Sequence, residues 1–179
     1  PLPATPVDPP TLAMTFRIND GPLGGREGKK VTSRQIRDRL FRETEGNVAI
    51  RVSESNESEA FEVAGRGELQ LGVLIETMRR EGFELTIGRP RVLTRENPDT
   101  GDREEPFEDV LVDVDEPYTG VVVEKISKRK GVMQDMRPSG GGKVRLTFHM
   151  PSRGLIGYHG EFLTDTRGTG IMHHNYSHY

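Results

Sequence analysis

Side chains able to do covalent or metal chemistry are few in this sequence. There is no cysteine, which excludes disulfides, thiolate zinc sites and thiol nucleophiles and suits a reducing compartment. The histidines are His149, His159, His173, His174 and His178. On a regular strand His174 and His178 fall on one face and His173 on the other, so they do not converge as a metal triad. Ser152 has no histidine–acid partner at an identifiable spacing. Gly28-Lys29-Lys30 invites a phosphate-loop reading that fails twice: Leu23 stands where the first glycine belongs, and Lys30 where a hydroxyl should hold magnesium. The Asn-x-Ser sequons at Asn56 and Asn175 mean nothing without a secretory context.

What remains is charge. The formal net charge of −3 hides a partition. Residues 91–119 carry 3 basic and 10 acidic side chains, a balance of −7; residues 120–160 carry 8 basic and 2 acidic, a balance of +6. Lys125, Lys128, Arg129, Lys130, Lys143, Arg145 and Arg153 span a helix end, a glycine loop and a strand face. Convergence of these on one surface would suit an anionic partner, with RNA phosphates the natural one. An ordinary solvated face has the same composition, and both readings stand at this point.

The elements that must position these residues follow from periodicity. Leu12, Met14, Phe16 and Ile18 alternate over 11–18, a first strand, followed by a charged glycine-rich loop over 19–30. Thr32 and Gln35 have capping-box spacing, and Ile36, Leu40, Phe41 and Thr44 form the inner face of a helix ended at Gly46-Asn47. Val48, Ile50 and Val52 predict a second strand, Phe61 and Val63 a third. Gly65-Arg66-Gly67 is a sharp exit into a helix with Leu71, Leu74, Ile75 and Met78 inward, Arg79 and Arg80 in its last turn, and Gly82 as its stop. Residues 83–87 close the unit as a strand. The order strand, helix, strand, strand, helix, strand is the ferredoxin-like α+β plan.

The second half repeats it. Val110, Val112 and Val114 alternate; 118–130 is helical with Val122, Val123 and Ile126 inward, stopped by Gly131. A short strand spans 132–136, 138–142 is a flexible turn, and Val144, Leu146 and Phe148 make the third strand. Residues 151–154 turn, 155–163 are helical, and 170–176 form the closing strand. Between the halves, Pro90, Pro98 and Pro106, with a Pro-Asp-Thr-Gly turn at 98–101, read as a linker. The expected organisation is a linker over 1–10, a domain over 11–89, a linker over 90–105 and a domain over 106–179. A chain of 179 residues, 32% hydrophobic and 30% charged, accommodates two small domains with thin cores. No apolar run reaches the length of a membrane helix. The proline-rich start is neither a signal peptide nor an initiator, and reads as a linker at the edge of a fragment.

The stretch Gly-Arg-Gly-Glu-Leu-Gln-Leu-Gly-Val-Leu-Ile-Glu-Thr-Met-Arg-Arg-Glu-Gly-Phe-Glu-Leu, from Gly65 to Leu85, resembles the third-domain signature of translational GTPases of the elongation factor G superfamily. Met-Arg-Arg-Glu-Gly-Phe-Glu together with Pro-Ser-Arg-Gly-Leu-Ile-Gly at 151–157, Thr-x-Gly-Thr-Gly at 166–170 and the final Ser-His-Tyr resemble the TypA/BipA subfamily. The likeness runs from about residue 11 to the end.

The resemblance implies the third and fifth domains of a bacterial, cytoplasmic, ribosome-associated GTPase, linked to stress or cold adaptation and to large-subunit assembly. Its GTPase, β-barrel and C-terminal domains would lie outside this chain. GTP and magnesium would belong to the missing GTPase domain, so the fragment itself is expected to hold no cofactor and to catalyse nothing. Implied partners are large-subunit RNA and proteins at the factor-binding site, and the protein's own missing domains, with no membrane. Gly65, Gly67, Glu68 and Leu69 match the motif as turn formers and a helix start; Gln70 stands where histidine is common. Lys128, Arg129 and Lys130 match a basic helix end, and Arg153 matches the arginine of the Ser-Arg-Gly-Leu-Ile-Gly element, as a phosphate contact or a bridge to the next domain. His159-Gly160 replaces a more basic, hydroxyl-bearing pair. Arg79 and Arg80 read as partners of the helix dipole and of Glu76. Two other classes stay open: an intramolecular scaffold with little RNA contact, and a small acylphosphatase-like enzyme using Arg17 or Arg26.

Overall fold

The computed structural model describes residues 8–18, 33–56 and 59–179. The glycine-rich loop with Arg26 and Gly28-Lys29-Lys30, and Thr32 of the expected capping box, lie outside the described residues.

The chain divides into two compact units, Pro1–Leu93 and Thr94–Tyr179. In the first, β1 (Leu12–Ile18), α1 (Ser33–Gly46), β2 (Arg51–Glu54), β3 (Ala60–Gly65), α2 (Glu68–Arg80) and β4 (Leu85–Ile87) follow in order, then β5 (Arg91–Val92). The antiparallel sheet runs β2-β3-β1-β4, with β5 also paired to β1. This is the ferredoxin-like order, in which each helix crosses over the strand lying between the two it connects. Burial accounts for the pairing. Leu12, Met14 and Phe16 of β1, Phe61 and Val63 of β3, Ile36 and Leu40 of α1, and Leu71, Leu74 and Met78 of α2 form the core. Ile75 is half-buried. Phe41, expected inward, is exposed with the Arg37 guanidinium over its ring. Val48 is 74% exposed, because it sits in the turn before β2. The expected strand over 48–52 therefore begins later, at Arg51.

The turn before α2 is built as its glycines require. A Cβ at Gly65 would sit 2.5 Å from Gln70 Oε1, which accepts the Arg66 amide at 2.6 Å. Gln70 thus satisfies a backbone donor near the helix start. Arg80 pairs with Glu76 at 2.5 Å, and Gly82 takes φ +97° just beyond the helix.

The second unit contains β6 (Arg95–Glu96), β7 (Arg103–Glu104), β8 (Phe107–Asp115), a 3-10 turn (Glu116–Tyr118), α3 (Thr119–Lys128), β9 (Val132–Gly140), β10 (Lys143–Pro151), a 3-10 turn (Ser152–Leu155), α4 (Tyr158–Asp165) and β11 (Ile171–His178). Its sheet runs β11-β8-β10-β9, antiparallel throughout and again ferredoxin-like. Val110, Val112, Val114, Val122, Ile126, Leu146, Phe148, Met150, Tyr158 and Phe162 form its core.

Several expectations are corrected here. The segment 90–105 is not a bare linker: β5 extends the first sheet, and β6 and β7 form a hairpin whose turn is held by the Asn97 side chain accepting the Asp99 and Thr100 amides. The division accordingly falls between Leu93 and Thr94. The strand expected over 132–136 continues to Gly140 because Pro138 pairs with Val144 at an edge, where a missing N–H costs no ladder bond. The helix expected over 155–163 begins at Tyr158, after Gly157 adopts φ +75°. In the α3 stop, Lys130 rather than Gly131 takes the left-handed conformation, at φ +72°. Gly131 is required by close approach, since a Cβ there would lie 2.3 Å from Ile126 Cγ2.

Candidate functional site

The seven basic candidates all belong to the second unit, and the structure separates them into two groups. Lys125, Lys128, Arg129 and Lys130 occupy the C-terminal end of α3, and Arg153 lies in the 3-10 turn that Arg129 contacts. Lys143 and Arg145 lie at the opposite end of β10. Eight residue steps of β10 separate Lys143 from Pro151, or about 26 Å at the rise of a strand. The seven do not form one patch.

Most are also neutralised locally. Arg129 Nη1 donates to the carbonyl oxygens of Gly154 at 3.0 Å and Ile156 at 2.8 Å. Its Nη2 meets Glu161 Oε2 at 3.1 Å, and its guanidinium lies 5.0 Å from the centre of the Tyr158 ring. This arginine clamps the end of α3 to the connection between β10 and α4. A Cβ at Gly154 would sit 2.3 Å from the Arg129 carbonyl oxygen, so the glycine is what lets the two segments close. Lys125 Nζ lies 2.7 Å from Asp165, whose carboxylate holds its pKa above the ordinary lysine value. Burial pushes the Tyr158 hydroxyl up to about 12. Arg153 pairs with Glu105 at 2.6 Å and Lys128 with Glu124 at 3.0 Å.

Arg145 Nε lies 3.1 Å from Asp113 Oδ1, directly across the β8–β10 ladder. The same ladder sets Asp115 opposite Lys143 and Asp109 opposite His149. Part of the charge partition is therefore taken up within one sheet, where the Asp113–Arg145 pair contributes roughly 0.2–1 kcal/mol. Lys130 and Lys143 are exposed and carry no side-chain ion pair among the described residues.

Two groups near the start of β8 were not singled out by sequence reasoning. Glu108 is buried and lies 2.6 Å from His174 Nδ1, and the hydrogen bond to this carboxylate raises the His174 pKa. Phe107, His149 and His178 stack, with ring centres 5.0–5.6 Å apart. His178 was expected on the face of His174. A register shift between Tyr176 and His178 sets it opposite Phe107 instead. The signal in sequence was a polar Glu108 inside an alternating strand; the bulge left none. No group of three or more histidine, aspartate or glutamate side chains among the described residues is placed to hold a metal ion.

Comparison with known proteins bears directly on this arrangement. Residues 103–179 match the family described as Elongation factor G C-terminus. The chain is 53% identical over 178 residues to the large ribosomal subunit assembly factor BipA of Salmonella typhimurium, covering 99% of this chain and 29% of that protein. The protein of the same name from Synechocystis sp. is 52% identical over 178 residues, covering 99% and 30%. The chain belongs to the BipA family of elongation factor G-type translational GTPases.

It spans about three-tenths of the length of these curated relatives. A solved protein from Thermus thermophilus superposes with a TM-score of 0.58 at 11% identity, over 98% of this chain and 41% of that one, a likeness of fold alone. Neither glycine–lysine run has the spacing of a GTP phosphate loop: Gly28-Lys29 has Leu23 at the first glycine and Lys30 at the hydroxyl position, and Gly142-Lys143 has Arg137 and Val144 there. No helix among the described residues is long and apolar enough to cross a membrane.

Proposed function

We propose that this chain is the ribosome-docking and relay portion of a BipA-type GTPase acting in large-subunit assembly, in the cytoplasm of a bacterium. The reading rests on one observation: 53% identity, across 99% of the chain, to proteins named large ribosomal subunit assembly factor BipA. GTP and magnesium chemistry is assigned to the remaining length of the family architecture. The docking face is the end of α3, where Lys128 and Lys130 are exposed beside Arg129 and Arg153. Lys128 is tied only to an exposed i, i+4 partner, an interaction weak enough to yield to a phosphate. Contact of this kind releases counterions, weakens steeply with salt and is indifferent to base identity.

A second reading is favoured by the ion pairs of Lys125, Arg129, Arg145 and Arg153 with carboxylates of their own unit. In it, these domains mainly position other parts of the protein and touch RNA little. Co-sedimentation with separated ribosomal subunits across a salt series tests the first reading. Docking predicts large-subunit binding that weakens as salt rises and drops roughly tenfold in the Lys128→Glu, Lys130→Glu variant. Binding that survives the double reversal, or none at low salt, selects the scaffold.

A further inference from the structure

β9 is an edge strand. Seven of its nine residues pair with β10, on one side only, so its outer row of backbone amides and carbonyls has no ladder partner among the described residues. Edges of this length are commonly blunted by charge, proline or bulges. Here Pro138 blunts the far end, while Val132, Met133 and Met136 are 61%, 42% and 53% exposed.

Their arrangement is specific. The register shift between Thr147 and Phe148 puts one extra residue into β9, so Met133 pairs with Phe148 and Met136 with Leu146. Phe148 and Leu146 are both core residues of the helix-covered face. The bulge thus places two methionines, three apart in sequence, on the same face of the edge, beside α3. The charges in the middle cancel, because Arg137 pairs with Asp135 at 2.6 Å. The exposed, unpaired lysines stand at the two ends, Lys130 just before the strand and Lys143 just after its turn.

We infer that β9 is a strand-addition site for an extended segment of a partner protein, with alternating apolar residues and carboxylates near both ends. Main-chain hydrogen bonds to the edge supply affinity, and the methionine slot and flanking lysines supply register. Methionine adapts to varied apolar side chains, which suits a slot of this kind. An RNA strand would use the lysines and leave the methionines and the open backbone row without a role. The site goes beyond the docking face and shares only Lys130 with it.

The test uses this chain and a fluorescein-labelled peptide as long as β9, with alternating Val and Thr and Glu at both ends. The expected result is saturable binding that slows amide hydrogen exchange along 132–140. Affinity should fall about tenfold in the Met133→Ser, Met136→Ser variant, and about threefold in Lys143→Glu, less so at high salt. These residues are exposed, and circular dichroism checks that each variant is folded. The proposal is overturned by any of four outcomes. Exchange along β9 is unchanged at saturating peptide; a scrambled peptide binds as well; a uridine oligonucleotide protects β9 instead; or β9 is already protected in a concentration-dependent manner, which would mean a second copy covers it. Ribosome co-sedimentation of the methionine variant should be unchanged, so failure here is distinguishable from failure of the docking reading.

Discussion

Arg129 does more structural work than any other basic side chain in its unit. It donates to two carbonyl oxygens and a carboxylate and lies over the Tyr158 ring. Arg129→Ala strands those acceptors and should lower the stability of the second unit by about 1–3 kcal/mol, read as a shift of the urea midpoint at constant slope. Gly154→Ala attacks the same junction from the other side, driving a methyl group into backbone, and should cost a comparable amount. The Glu108–His174 pair makes a prediction with a definite sign. His174 has its pKa raised above 6.5 by the bond to Glu108. A raised folded value means that the pair's contribution is fully present below the unfolded pKa of about 6.5 and is lost as pH rises through the folded value. The wild-type midpoint should therefore fall relative to His174→Gln as pH is taken from 6 through 8 (roughly the range around that pKa). A constant difference between the two proteins across this range would refute the assignment.

Among elements, the β8–β10 ladder determines how the charge partition should be understood. The Asp113–Arg145 pair joins residues 32 apart in sequence, and no local pattern announces which acidic strand will face which basic one. Asp113→Lys sets like charges opposite each other and should cost roughly 1 kcal/mol. Reversing Arg145 to Glu as well should recover most of it, a coupling that a double-mutant cycle measures directly. Strand and helix identities were legible because Val110, Val112 and Val114, or Leu71, Leu74 and Met78, carry the periods of their elements. Bulges were not. The one before His178 and the one between Met133 and Met136 come from how two strands meet, so the alternation of either strand alone points to the wrong face. Sequence likewise left open whether the basic candidates converge, because only the fold places their helix end and strand end at opposite ends of a sheet.

On the scale of the whole chain, each unit has its own sheet, its own pair of crossover helices and its own core. The piece comprising residues 94–179 should fold alone, giving a cooperative urea transition and dispersed amide resonances. A molten, non-cooperative piece would show that its core is incomplete. The duplication was legible because the same order of elements recurs twice. The boundary was not, since prolines at 90, 98 and 106 mask the strand Arg91–Val92 and the hairpin that follows. The sheet order also bears on how the protein is made. β8 is central only because β11 lies along its outer side, and β11 comes from the last stretch of the unit, residues 171–178. While the chain is being synthesised, β8 can pair with β10 yet keep its other backbone edge open until those residues leave the ribosome. Slow emergence of residues 171–178 would prolong that exposure and favour aggregation or chaperone capture of the nascent chain.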